Sequence, residues 1–199
     1  MSILIAFLSN YGSVLAFIEP FTFIKIDLGS YQKGYVSFNS LETTYIQNNE
    51  WWRLITPMFI HFSLTHLVFN CLWIFVLGSK IEQIDGHITF INLVIFSSII
   101  SNLAQHFFGE SAFFGGLSGV IYGLLGYCMI IEFEIKKERY DLPPALYLFM
   151  LIWLALGFLG ILNLFGFGNV ANYAHLGGLI SGIIFAMITR YVFIRDIND

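Results

Sequence analysis

Charge is what this sequence has least of. Nine lysines and arginines and 13 aspartates and glutamates make up 11% of 199 residues, against 57% hydrophobic, whereas an ordinary soluble domain is about a quarter charged. So few polar side chains cannot cover a water-exposed surface of this size, and the apolar surface is expected to face lipid. The formal net charge is −4, so no basic field exists to release counterions from a phosphate backbone, which excludes nucleic-acid binding. Cysteine is equally scarce. Cys71 and Cys128 both fall inside apolar runs and read as small hydrophobes, leaving neither a disulfide framework nor a metal site built on thiolates. Lysine and arginine are missing before the first apolar stretch, as is a small-residue cleavage site, so that stretch reads as a membrane span rather than a secretory signal.

What is abundant is hydrophobic length. A spanning helix needs about 20 mostly apolar residues, and six stretches qualify: 3–24, 54–77, 88–107, 116–134, 144–166 and 171–193. Ser9, Asn10, Glu19 and Pro20 interrupt the first, and the segment from there to Trp52 is amphipathic. The expected fold class is an all-α membrane protein with six transmembrane helices. Without internal repeats, low-complexity tracts or a linker, residues 1–199 read as one domain. Lys80, Lys136, Lys137, Arg139, Arg190 and Arg195 lie in the second and fourth loops and the C-terminal tail, with Lys25, Lys33 and Arg53 opposite. That asymmetry places both termini in the cytoplasm and the loop at 108–115 outside.

Chemistry in such a chain must come from polar residues within the spans, since each costs free energy in lipid. The second span carries His61, His66 and Asn70. The fourth begins Gly115-Gly116-Leu117-Ser118-Gly119 and runs on to Tyr122, the sixth contains Asn172 and His175, and Glu82 lies just beyond the second. Ser118 sits between glycines where a loop becomes a helix, so it reads either as a nucleophile whose own N–H helps hold an oxyanion or as an N-cap in a small-residue packing motif. His175 reads as the base for Ser118 or as a structural histidine between helices. Gly178 and Gly182 have the small-xxx-small spacing that lets two helices approach closely, which would bring His175 to Ser118.

Tyr122 lies one turn below Ser118 on the same helix face, and His66 and Asn70 share a face of the second span. Donors on that face would complete an oxyanion hole. With no Asp or Glu in the cores of the fourth and sixth spans to orient His175, the expectation is a Ser-His dyad rather than a triad. A metal site from His61, His66 and His175 would lack a carboxylate. Phe69 and Trp73, four apart on the second span, and Phe149 and Trp153, four apart on the fifth, form two aromatic ridges. These read either as a lateral substrate gate or as ordinary interior and interface aromatics.

Four motifs in order resemble the rhomboid intramembrane serine proteases, in particular their compact six-helix GlpG-type bacterial members. They are Glu50-Trp51-Trp52-Arg53, the run from His61 through His66 to Asn70, Gly116-Leu117-Ser118-Gly119 with Tyr122, and Ala174-His175-Leu176-Gly177-Gly178. The resemblance covers residues 50–190. It implies a rhomboid bundle in the bacterial inner membrane that cleaves peptide bonds in or near the transmembrane segments of other membrane proteins. Ser118 would be the nucleophile, His175 the base, His66, Asn70 and the Ser118 N–H the oxyanion hole, and Tyr122 the support for His175. Trp52, Arg53, His61, Glu82, Gly116 and Gly178 would be structural, and helices two and five the gate. No cofactor or metal is implied; the partners are transmembrane protein substrates and the lipid bilayer. Val170 stands where many members have glycine. The alternatives are an inactive rhomboid-like protein that binds clients, disfavoured by the presence of both Ser118 and His175, and a proton-relaying transporter, which would need paired acidic residues or broken repeats.

Overall fold

A computed structural model describes residues 1–136, 138–164 and 170–198, without the side chains of residues 163 and 191–198. The chain opens with helices α1 (Ser2–Leu8) and α2 (Leu15–Ile18) and a 3-10 turn over Glu19–Phe21, in place of the single span expected over 3–24. The reason is local. The Ser9 hydroxyl accepts the N–H of Gly12 at 3.0 Å, and Asn10, Tyr11 and Gly12 take φ of 47, 53 and 84°, which no helix can continue through. At 1.5 Å per residue, α1 is about 10 Å long, a third of a hydrocarbon core. Ile5 of α1 packs with Ile18 and Ile60.

The amphipathic segment that follows holds α3 (Leu28–Gln32), capped by the Asp27 carboxylate, which accepts the Gly29 N–H at 2.9 Å. It also holds one antiparallel bridge between Ile26 and Phe38, a π-helical turn over Glu42–Gln47, and 3-10 turns over Trp51–Leu54 and Thr56–Phe59. Buried ion pairs fix it. Arg53, 1% exposed, donates from Nε to Glu50 at 2.5 Å and from one NH2 group to the Glu19 carboxylate at 2.7 Å. Its other nitrogen donates to the carbonyls of Glu19 and Thr22. Lys25 meets Glu50 at 2.5 Å, and the Trp52 indole N–H donates to the Pro20 carbonyl at 3.1 Å.

Among the described residues four helices are long and apolar enough to cross a membrane: α4 (Leu64–Asp85), α5 (His87–Phe108), α6 (Ser118–Ile135), and the stretch 172–190 of the last helix. The expected fifth span divides into α7 (Pro144–Phe158) and α8 (Ile161–Leu164), because Gly160 turns the chain with φ of 72°; residues 165 and 166 lie outside the described residues. The last helix, α9, runs Asn172–Asn198. α6 is the axis of the bundle, with 61% of its spanning window buried against 28% for α4 and α5 and 39% for α9.

Glycine sets how close α9 comes to α6. A side-chain carbon on Gly178 would strike the Gly119 carbonyl, and one on Gly182 the Gly123 carbonyl. The two backbones therefore touch, as small-xxx-small pairing on both helices allows. The N-terminal ends of α4, α6 and α9 gather at one end of the bundle. At the other end the Asp85 carboxylate, fully buried, accepts from Arg139 at 2.6 Å, from Tyr140 at 2.6 Å and from Tyr127 at 3.1 Å. Arg190 pairs there with Glu134 and Lys80 with Asp141. Glu82, on the exposed side of this turn, holds His87 at 2.5 Å, while the Asp85 carboxylate is buried.

Candidate active site

Ser118 opens α6 as its first helical residue, after Leu117 in the capping position. The N-cap reading of Ser118 is therefore not what the chain adopts. Its hydroxyl instead lies 2.8 Å from His175 Nε2. At this first position the Ser118 N–H has no intrahelical acceptor. His175, 6% exposed, stands one turn into α9, three residues before the glycine that touches α6. Contact between the glycine backbones thus brings serine and histidine together.

The imidazole of His175 stacks on the ring of Tyr122, with centroids 4.8 Å apart and planes 29° apart. The Tyr122 hydroxyl donates to the Met150 carbonyl on α7 at 2.9 Å. Among the described residues no carboxylate meets His175, so its support is a flat ring and a neighbouring helix.

Above the serine, Gly116 has φ of 127°, and a carbon added there would sit 2.8 Å from His66 Nε2 and 3.5 Å from Asn70 Nδ2. Glycine is required both for the dihedral and for room. The same numbers place the His66 ring edge and the Asn70 amide beside the loop that leads into Ser118. That loop is anchored: the Gly116 N–H donates to the Pro57 carbonyl at 3.0 Å. His61, fully buried, lies with its ring 4.9 Å from that of His66. Both its nitrogens are engaged, Nδ1 by the Phe59 carbonyl at 3.2 Å and Nε2 by the Asn70 amide at 3.1 Å, and so it is not presented to a metal with His66 and His175.

The aromatic ridges of α4 and α7 face each other. Phe69 stacks on Trp153 at 5.7 Å and Trp73 on Phe149 at 6.2 Å, with interplanar angles of 29 and 28°. Trp52 and Arg53 hold Pro20, Glu19, Thr22 and Glu50 in the segment described above.

Residues that the sequence reading passed over do much of the positioning. Ser97 and Ser101 of α5 fill the space beside Gly123 and Gly119, and Gln105 accepts the N–H of Ala174 at 3.1 Å just before His175. Ser98 and Asn102 donate to the carbonyls of Ile55 and Leu54 at 3.0 and 2.8 Å. Polar residues recurring at 97, 98, 101, 102 and 105 mark one helical face, a signal available in the sequence.

An all-α membrane protein with a serine–histidine pair at the mouth of its central helix is the class that fold and site define. Residues 48–192 match the Rhomboid domain model. The chain is 38% identical over 135 residues to the Rhomboid protease GlpG of Serratia proteamaculans (strain 568), covering 68% of this chain and 47% of that protein. It is 37% identical over 142 residues to the Rhomboid protease GlpG of Haemophilus influenzae, covering 71% of each, and 38% identical over 135 residues to that of Yersinia pestis (strain Pestoides F), again 68% and 47%. The matched part thus spans about half the length of the Serratia and Yersinia relatives. The chain belongs to the rhomboid family.

Proposed function

We propose that this chain is an intramembrane serine endopeptidase that hydrolyses peptide bonds in or near the transmembrane segments of other proteins. The observation that carries this reading is the 2.8 Å contact between Ser118 Oγ and His175 Nε2, with the imidazole laid on Tyr122. In this reading His175 takes the hydroxyl proton as Ser118 attacks the scissile carbonyl. The developing oxyanion is received by the Ser118 N–H, His66 and Asn70. The imidazolium then returns its proton to the leaving amine, and a water activated by the same histidine releases the acyl group.

Trp52, Arg53, Gly116, Gly178 and Glu82 serve the frame in this proposal. Substrate enters from lipid between α4 and α7, through the seam of Phe69, Trp73, Phe149 and Trp153. The protein resides in the inner membrane with the site open to the outer face and the cation-rich end, including the C-terminus, in the cytoplasm. The matching placement of the N-terminus rested on a continuous first span, which α1 and α2 do not form. Residues 1–199 act as one domain.

The test is cleavage of a transmembrane reporter by the detergent-solubilised protein. Ser118→Ala and His175→Ala should each abolish cleavage, because nucleophile and base act as a unit, while fluorophosphonate should modify the parent protein at Ser118. Comparable cleavage by Ser118→Ala would refute the assignment.

A further inference from the structure

A carboxamide can turn either end to the space beside Gly116, and only the nitrogen end is a donor. We infer that His61 selects that end: it is a positioning residue that holds the Asn70 amide ready to donate to an oxyanion. The inference rests on the hydrolase reading above.

The bonding leaves one solution. His61 Nδ1 lies 3.2 Å from the Phe59 carbonyl, and a carbonyl only accepts, so Nδ1 carries the proton. Both hydrogen-bond partners of this fully buried ring are uncharged, and the ring is neutral. Its Nε2 therefore offers a lone pair, 3.1 Å from Asn70 Nδ2. An amide turned end for end would oppose two acceptors, leaving a buried group unsatisfied at a cost of about 1–3 kcal/mol. One Asn70 N–H is spent on His61. The second remains on a nitrogen 3.5 Å from the position a Gly116 side chain would take, where His66 Nε2 is 2.8 Å away.

One short turn governs both halves of this arrangement. Thr56–Phe59 supplies the Phe59 carbonyl that fixes the tautomer of His61, and its Pro57 carbonyl receives the Gly116 N–H ahead of Ser118. The donor and the nucleophile loop are thereby registered to the same backbone.

The experiment separates positioning from a merely structural role by comparing two replacements for His61. Asparagine keeps a donor near Nδ1 for Phe59 but removes the acceptor for Asn70; glutamine keeps a polar group near Nε2. His61→Asn should lower kcat by about 10–100-fold with KM within about twofold, and His61→Gln should recover most of that loss. The His61→Asn/Asn70→Ala protein should be no slower than Asn70→Ala alone, because the first residue acts through the second. Multiplicative losses, or a His61→Asn enzyme as fast as the parent, would overturn the inference. If His61→Asn does not fold, the same comparison is made with His61→Gln on the Asn70→Ala background, where glutamine should make no further difference.

Should the parent neither cleave nor label at Ser118, the hydrolase reading fails. The inference is then decided by the imidazole nitrogen resonances of His61 in the solubilised parent. A proton on Nδ1 and an Nε2 resonance that moves with Asn70→Ala support it; an Nε2 resonance indifferent to Asn70 overturns it.

Discussion

Arg53 is the residue whose loss should be felt most widely. Arg53 is 1% exposed and its guanidinium meets two carboxylates and two carbonyls, so Arg53→Ala takes from Glu19 the cation it pairs with and leaves Glu50 to Lys25 alone. Removing one partner of a buried ion pair costs about 3–5 kcal/mol, and the loss should appear as a lower thermal midpoint in detergent, with Arg53→Lys recovering little because lysine lacks the fork. The same cluster predicts an acid limb. Burial alone would raise the Glu50 carboxyl, but hydrogen bonds and charge from Lys25 and Arg53 outweigh it and hold Glu50 below the usual value of 4.5. A carboxylate lowered in the folded state contributes stability that is present above the unfolded value and lost as pH falls through the folded one. The thermal midpoint should therefore decline below about pH 4.5, and Glu50→Gln should be less stable at pH 7 with a shallower decline. A decline of unchanged steepness would remove Glu50 from this role. At the site itself, Asn70→Ala should slow cleavage by about ten- to a thousandfold, since one oxyanion donor is lost and others remain.

Between elements, the contact that matters most for catalysis is the one between α6 and α9. A methyl group on Gly178 meets the Gly119 carbonyl, one residue from the serine. Gly178→Ala must part the helices, at about 1–3 kcal/mol for overpacking. A displacement near 1 Å at the reacting atoms costs about a hundredfold in rate, and cleavage should fall by at least that with modest loss of stability; an enzyme of parental rate would show that α9 does not depend on this glycine. Much of this was legible beforehand. Gly178, Gly182, Ser118 and His175 stand at spacings that imply close helices, because helical period alone converts sequence distance into a shared face. What stayed hidden was what depends on irregular backbone or distant partners: the turn at Asn10 to Gly12 that breaks the first span, the Gly160 turn that divides the fifth, and the burial of Asp85. Those outcomes depend on tertiary partners such as Arg139, Tyr127 and Tyr140, which no local pattern in the sequence connects. The α4–α7 seam differs in kind, since its ties are ring stacks, and the Trp73 indole N–H is buried there without an acceptor among the described residues. If it opens for substrate, Phe149→Ala or Trp153→Ala should raise the cleavage rate while lowering the thermal midpoint, the closed state alone losing packing. A slower Trp153→Ala enzyme would make the seam ordinary core.

At the scale of the whole molecule, the distribution of charge and the site agree on a direction. Lys80, Lys136, Arg139 and Arg190 lie toward the end of the bundle where α4 and α6 finish, and Ser118 lies where α6 begins. In the proposed orientation the cation-rich end lies in the cytoplasm, and the serine then opens toward the other face, where water for hydrolysis can reach it. Irregular backbone at membrane depth is tolerated only where protein or water satisfies its polar groups, and in that orientation the irregular loop from Gly109 to Leu117 is the stretch water must reach. A thiol reporter in that loop tests the arrangement. Gly115 is the wrong place for it, because an added side-chain carbon would sit 2.6 Å from Ile60 Cβ and 2.9 Å from the Pro57 carbonyl. Ser111 is exposed, and its hydroxyl bonds only within its own turn, to Phe113. Ser111→Cys, made in a Cys71→Ala, Cys128→Ala background, should react with a membrane-impermeant maleimide added to intact spheroplasts, and should be silent to the same reagent added outside sealed inverted vesicles. Labelling of the inverted vesicles alone would turn the molecule over and place the serine on the cytoplasmic side.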